Sequence, residues 1–358
     1  MTTGILLAGF GGPEPGCCGR RPDCPRTPGC EAECFVAKVL ESRPGAAGRP
    51  GGPGRPDSLQ RPDPAARPST AIRPGLADGG GAAARIQAVA GHYHAVAGGF
   101  SPYNQRSRDQ ALALRAELTR RGIIAPVALG FRHWQPWLDQ ALSELAAQDC
   151  DACVVVPLTA HHAGSGWEAY RTDANDAAKR LVKPMAIRAV VPPLFDRPGL
   201  IAALAQRVRT ATADWSAERF AAARLIIAAH AVPLPVERSS PYRDQITATA
   251  RLLAQALGHP DHVLAFQSAP PTSAIPWSSP LIADVLKEAA ANGVRDVVVS
   301  PAGFLVDHIE VLYDLDVEAR ALCQQLGLGW TRAEGVHDHP EFIAAMADGI
   351  AATIAASG

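Results

Sequence analysis

Leu225-Ile226-Ile227-Ala228-Ala229-His230 is an apolar run that ends on an imidazole. It shows no alternation of polar and apolar positions. It therefore reads as a strand buried on both faces, the pattern of a parallel sheet covered by helices. Two runs downstream repeat the pattern, Val263-Leu264-Ala265-Phe266-Gln267 and Val297-Val298-Val299-Ser300-Pro301. Three lie upstream: Ile5-Leu6-Leu7-Ala8-Gly9-Phe10, Pro126-Val127-Ala128-Leu129-Gly130 and Cys153-Val154-Val155-Val156-Pro157. Helical stretches separate them, notably Ser107 to Gly122, Trp137 to Gln148, Gln245 to Gly258 and Ser279 to Asn292. Strand and helix alternating twice over predict an α/β protein of two doubly wound domains with parallel sheets. The expected boundaries are 1–160 and 161–340, each domain with its own core. A helix in the Pro193 to Thr212 region is expected near the crossing between the halves, and a C-terminal helix over 340–358 packing back on the first domain.

Composition narrows the class. The chain has 358 residues, 47% of them hydrophobic, enough for two domains. Lys and Arg number 34 against 35 Asp and Glu, a net charge of -1, so the basic footprint of a nucleic-acid binder is missing. Met1 to Gly12 is apolar without a positive flank before it, which reads as a buried strand rather than a signal peptide. No apolar stretch approaches the roughly 20 residues of a membrane span. The expectation is a soluble, cytoplasmic, monomeric protein with at most peripheral membrane contact. Residues 43–83 are dominated by Gly, Pro, Arg, Ala and Asp and read as a flexible surface insertion. Five of the eight cysteines, Cys17, Cys18, Cys24, Cys30 and Cys34, crowd into a loop over 15–36. In a cytoplasmic chain such a group points to metal more than to disulfides. It has thiolates enough for an iron–sulfur cluster or a zinc site. A [2Fe–2S] cluster is the preferred reading over zinc and over an unoccupied thiol loop.

Ligands of open α/β sheets bind outside the carboxyl ends of the strands. Those ends carry Phe10-Gly11-Gly12-Pro13-Glu14, Phe131-Arg132-His133-Trp134, Thr159-Ala160-His161-His162, His230, Gln267-Ser268 and Phe304 to Glu310. A cleft lined by aromatic rings, imidazoles and a carboxylate suits a large flat apolar ligand with proton transfer or metal handling. Glu310, Asp314 and Glu318 stand four residues apart, so on a regular helix they drift by only about 40° per step and form one acidic ridge. A hydrated divalent cation relieves their repulsion. The bland alternative is a solvated helix face, as a core histidine bonded to a carbonyl is for His230.

Four segments resemble the ferrochelatase family. Leu6-Leu7-Ala8-Gly9-Phe10-Gly11-Gly12-Pro13-Glu14 is similar to its opening strand and Gly-Gly-Pro turn. Ala228-Ala229-His230-Ala231-Val232-Pro233 with Pro241-Tyr242, and Gln267-Ser268 through Pro276-Trp277, look like its next two motifs. Pro301 to Asp314 is similar to its most distinctive signature. The resemblance implies two Rossmann-like domains facing a porphyrin cleft, a chelatase-like fold. It implies insertion of Fe2+ into a porphyrin with release of two protons, in haem biosynthesis, with coproporphyrin III favoured over protoporphyrin IX. His230 and Glu310 then face each other as the catalytic pair, His230 accepting pyrrole protons as a neutral imidazole with an ordinary pKa near 6.5. The implied metal path is His230, Glu310, Asp314 and Glu318. The porphyrin wall is assigned to Phe10, Gly11, Pro13, His133, Trp277 and His308. Three departures stand out. Phe10 occupies a position where some members carry Tyr or Met, Ala231 one where Ser is frequent, and the cysteines lie after the first turn instead of mid-chain and near the C-terminus. The alternatives are a chelatase for cobalt or nickel, and a non-catalytic porphyrin or haem carrier. A two-lobed sugar- or ion-binding protein is disfavoured by the missing signal peptide.

Overall fold

The computed structural model describes residues 2–16, 29–42, 82–270 and 273–357. Two four-stranded parallel sheets organise them. The first holds β1 (Thr2–Gly9), β2 (Val127–Phe131), β3 (Cys150–Pro157) and β4 (Ala186–Val190) in the order β2-β1-β3-β4. The second holds β5 (Arg224–His230), β6 (His262–Gln267), β7 (Asp296–Ser300) and β8 (Gly329–Arg332) in the order β6-β5-β7-β8. The helices before the second sheet are α1 (Cys30–Glu41), α2 (Ala82–Ala97), α3 (Tyr103–Arg120), α4 (Leu138–Ala146), α5 (Ala169–Arg180), α6 (Pro198–Ala211) and α7 (Ala217–Ala222). Those after it begins are α8 (Leu234–Arg238), α9 (Tyr242–Leu257), α10 (Ile282–Ala291), α11 (Ile309–Tyr313), α12 (Arg320–Leu326) and α13 (Pro340–Ser357).

Both sheets wind identically. The first strand sits inside, the second lies to one side of it, and the third and fourth lie to the other. Each sheet therefore has its topological switch point between its first and third strands, β1 and β3 in one and β5 and β7 in the other. Crevices outside the carboxyl ends of those pairs are the expected ligand positions.

Side chains alternate across each strand, and their destinations explain the unbroken apolar runs. Leu6 and Ala8 meet α4 and α5 on the outer side of the first sheet. Ile226 and Ala228 meet α10 to α12 on the outer side of the second. Ile5, Leu7, Leu225 and Ile227 all enter one further cluster, with Leu114 and Leu118 of α3, Leu200 and Leu204 of α6, Leu253 of α9, and Phe342, Met346 and Ile350 of α13. The two sheets thus share a central helical layer, which differs from the expectation of a separate core for each domain. α13 lies in that layer against both α3 and α6. Its approach to α6 is close enough to need glycine: a Cβ at Gly199 falls 2.3 Å from the carbonyl oxygen of Glu341.

β4 pairs with β3, so the first sheet continues past residue 160 and the expected boundary is corrected to lie beyond β4. The reason for the miss is physical: β4 and β8 are half-buried edge strands, and Ala186-Ile187-Arg188-Ala189-Val190 carries a charge in mid-strand. The expected insertion, 43–83, falls outside the described residues up to 81, and its last two residues open α2.

Candidate active site at the second switch point

The carboxyl end of β1 turns sharply at Gly11, whose φ of 89° lies in the left-handed region where a side chain is strained. A Cβ there also meets Phe131 and the backbone of Trp134 at 3.0 Å. The turn is tied to α3. The Tyr103 hydroxyl accepts from the Phe10 N–H at 3.0 Å. Asn104 accepts from the Gly12 N–H and donates to its carbonyl, both at 2.8 Å. Arg108 grips the Glu14 carboxylate at 2.5 and 2.7 Å. Pro13 is buried in this turn and its carbonyl accepts from Ser101. Phe10 is left half-exposed, edge-on to the buried His133 with ring centroids 4.6 Å apart. Phe35 of α1, Tyr93 of α2, Trp134, Ile309 and Tyr313 join Phe10 in one apolar cluster, so α1 and α2 cover this edge.

His230 closes β5 beside the second switch point. Its Nδ1–H donates to the Ala231 carbonyl, which leaves Nε2 to face Glu310 Oε2 at 3.5 Å. Tyr242 holds the strand end by donating to the His230 carbonyl at 2.8 Å. The partner segment leaves β7 at Pro301. Gly303 lets it lie directly on β5, with its N–H donating to the Ala228 carbonyl at 3.0 Å. His308 then caps α11, Nδ1 accepting from the Val311 N–H, so its Nε2 carries the proton and points at Glu310 Oε2 across 3.7 Å. One carboxylate therefore stands between two imidazole Nε2 atoms, each ring oriented through its own Nδ1 contact. Gln267 fixes the Glu310 backbone by donating to its carbonyl at 2.7 Å.

Burial lowers the pKa of His308, the expected direction for a cation removed from water. Burial pushes His230 down too, but the Glu310 charge and hydrogen bond outweigh it and hold His230 up to about 9. The Glu310 charge thus favours the protonated form of His230 over the neutral imidazole expected from its ordinary pKa. Asp314 is raised to about 7, by burial first and then by Glu310 and Glu318, against the opposing hydrogen bond from Ser268. Ser268 itself has a φ of 65°, a strained conformation that aims its hydroxyl at Asp314.

The acidic ridge departs from a regular helix. α11 gives way to a π-helical segment at Asp314–Ala319 before α12 resumes. Its hydrogen bonds span five residues instead of four, so Asp314 and Glu318 do not drift forward as on an α-helix. Asp314 is half-buried and Glu318 exposed. His92 of α2 stacks on Tyr313 at 3.8 Å and faces Glu318. Among the described residues, no three His, Cys, Asp or Glu side chains converge as a metal-ligand group. His230, Glu310, Asp314 and Glu318 therefore do not form a preformed cage. Trp277 is half-buried along the same strand end, bridged to Pro233, its indole N–H donating to Ser273 at 3.0 Å.

Cys30 and Cys34 stand one turn apart on α1, Cys34 buried and Cys30 half-buried. Cys17, Cys18 and Cys24 lie outside the described residues. Sequence reasoning gave no role to Tyr103, Asn104, Arg108, Tyr242, Ser268 or Arg332. Tyr242 and Ser268 stood in quoted motifs. The others are ordinary helix or strand positions whose partners are distant in sequence.

The family model described as Ferrochelatase matches residues 70–354. Coproporphyrin III ferrochelatase of Nocardia farcinica is 37% identical over 268 residues, 72% of this chain and 76% of that protein. Its counterpart in Propionibacterium freudenreichii is 36% identical over 275 residues, covering 74% and 76%. Ferrochelatase of Rhodopirellula baltica is 31% identical over 260 residues, covering 72% and 74%. Among solved structures, SirB from Bacillus subtilis with Fe3+ superposes with a TM-score of 0.52 at 16% identity, over 70% of this chain and 90% of that one. That likeness concerns the fold alone.

Proposed function

The chain belongs to the ferrochelatase family, enzymes that insert metal into porphyrin, and from that premise we propose that it inserts Fe2+ into coproporphyrin III with release of two protons. The observation that carries the mechanism is the Glu310 carboxylate between the Nε2 atoms of His230 and His308 at a sheet switch point. The relatives named for coproporphyrin III support the substrate.

At rest, the proton on His230 Nε2 balances Glu310. A ferrous ion approaching along Glu318, Asp314 and Glu310 replaces that proton's charge, because carboxylates are hard oxygen donors suited to a hydrated divalent ion. Loss of the pairing lowers the His230 pKa and releases its proton to solvent. The freed Nε2 lone pair accepts a pyrrole N–H proton as the metal–nitrogen bonds form, and the second proton follows the same way. The iron stays ferrous throughout. Asp314, with its pKa near 7, takes and gives up protons at neutral pH. His308 keeps its own proton on Nε2 and orients Glu310. Phe10 and Trp277, both half-buried, are read as the apolar surface for the macrocycle, with the buried Gly11, Pro13 and His133 supporting Phe10. No helix of the described residues is long and apolar enough to cross a membrane.

The thiol group is read as a [2Fe–2S] site built from four of Cys17, Cys18, Cys24, Cys30 and Cys34. The one-turn spacing of Cys30 and Cys34 supports two of the ligands. A cluster there would cross-link α1 to the chain before it, and no step of insertion runs through it. Anaerobically purified protein should be brown, with about two iron and two sulfide per chain. Stoichiometric zinc, or neither metal, contradicts the cluster.

The substrate assignment is tested by incubating the protein with Fe2+ and either coproporphyrin III or protoporphyrin IX and following the visible spectrum. Faster metallation of coproporphyrin III is expected. Equal or slower metallation removes that assignment, and preference for Co2+ or Ni2+ over Fe2+ removes the iron assignment.

A further inference from the structure

We infer that Arg332 is a positioning residue for the reaction: one guanidinium holds both ends of the segment that carries His308, Glu310 and Asp314, and so sets where the carboxylates stand. Arg332 closes β8 and is almost fully buried, with 11% of its side chain exposed. Its Nε and one terminal nitrogen grip both oxygens of Asp316 at 2.7 and 2.8 Å. Its other terminal nitrogen reaches both oxygens of Asp307 at 3.1 Å. Asp307 immediately precedes the cap of α11, and Asp316 lies inside the π-helical segment. The α-to-π transition is therefore closed by a single planar fork, anchored on a sheet strand.

Burial alone explains only half of this arrangement. Asp307 is 8% exposed and needs partners, which it has in Arg332, the Gly335 N–H at 3.1 Å and His337 at 3.3 Å. Asp316 keeps 30% of its side chain exposed and could be solvated by water. It is nonetheless held bidentately, at the point where the helix widens. A lysine at 332 could not hold two carboxylates with a rigid fork. The same network reaches the first half of the molecule, since Gln110 of α3 donates to the His337 carbonyl at 2.8 Å. Through His337 the clamp thus also adjoins α3.

This inference rests on the reading that Glu310 and Asp314 handle iron, so the test includes both. The full chain is prepared as Arg332→Lys, Asp316→Asn, their combination and Glu310→Gln. For each, ferrous-insertion kinetics, porphyrin affinity by fluorescence and the melting temperature are measured. Arg332→Lys and Asp316→Asn should each lower kcat/KM for iron by about tenfold or more, short of the roughly 10²-fold that a 1 Å misplacement costs. Porphyrin affinity should stay within about twofold, since a positioning change acts on the iron step. The double variant should be no worse than the poorer single, the sign of a shared action. Parental iron kinetics in folded Asp316→Asn overturn the clamp, and that variant decides the matter even if Arg332→Lys does not fold. Iron kinetics and porphyrin affinity falling together, in step with the melting temperature, also overturn it by indicating a structural role only. Impaired clamp variants beside a parental Glu310→Gln would sink the iron-path reading and leave the clamp standing.

Discussion

Replacing Gly303 by Ala probes the geometry that brings the His230 and Glu310 segments together. A Cβ at 303 would stand 2.6 Å from the Cα of Ala229 and 2.8 Å from its Cβ. Carbon atoms pack comfortably at about 3.5–4.0 Å, so the two backbones must part by about 1 Å. Neither side yields easily: Ala229 is inside a central strand, and Gly303 donates a hydrogen bond to Ala228. Overpacking of this kind costs about 1–3 kcal/mol. At about 2–4 °C per kcal/mol for a chain of this size class, the melting temperature should fall by several degrees. The functional effect should be larger. Ala229 adjoins His230, and the chain from Gly303 leads through His308 to Glu310, so the 3.5 Å approach of His230 and Glu310 opens. A displacement of about 1 Å in a reacting group can cost about 10²-fold in rate. Ferrous insertion followed by absorbance, with a melting curve on the same sample, measures both. A Gly303→Ala protein that inserts iron at the parental rate would refute the claim that this contact sets the site.

Two further outcomes follow from the same structure. Asp314 has a folded pKa near 7 against an ordinary value of 3.8, so its contribution to stability is complete below about pH 4 and is lost as pH rises toward 7. Asp314→Asn should abolish that slope in melting temperature against pH; an unchanged profile assigns the titration to another group. Gly199→Ala should lower the melting temperature without altering iron kinetics per folded molecule, because its Cβ would strike the Glu341 carbonyl where α6 packs on α13; unchanged stability would mean that α6 and α13 have room to separate.

Much of the architecture was legible because burial on both faces leaves an unbroken apolar run. All six expected strands are present. β4 and β8 escaped because an edge strand buries less and tolerates Arg188 or Arg332. The shared central layer escaped for another reason: an apolar face records that it is buried, not which sheet covers it. Spacing grouped Glu310, Asp314 and Glu318, yet it assumed a uniform helix and could not register the π-helical turn. The raised pKa of His230 had no signal in the sequence, because it depends on a neighbour eighty residues away, and only folding sets Glu310 at 3.5 Å. Arg332 carried no local signal at all, being one charged residue on an edge strand until Asp307 and Asp316 meet it.

The central claim is that His230 takes the pyrrole protons while Glu310 governs its charge. It is tested most directly by the turnover of Fe2+ insertion into coproporphyrin III in His230→Ala, measured at saturating porphyrin and normalised to folded protein. Loss of the proton acceptor predicts a fall of about 10²–10⁴-fold, with porphyrin affinity kept within about tenfold. Near-parental turnover in that variant would contradict the account and move the proton acceptor to another group.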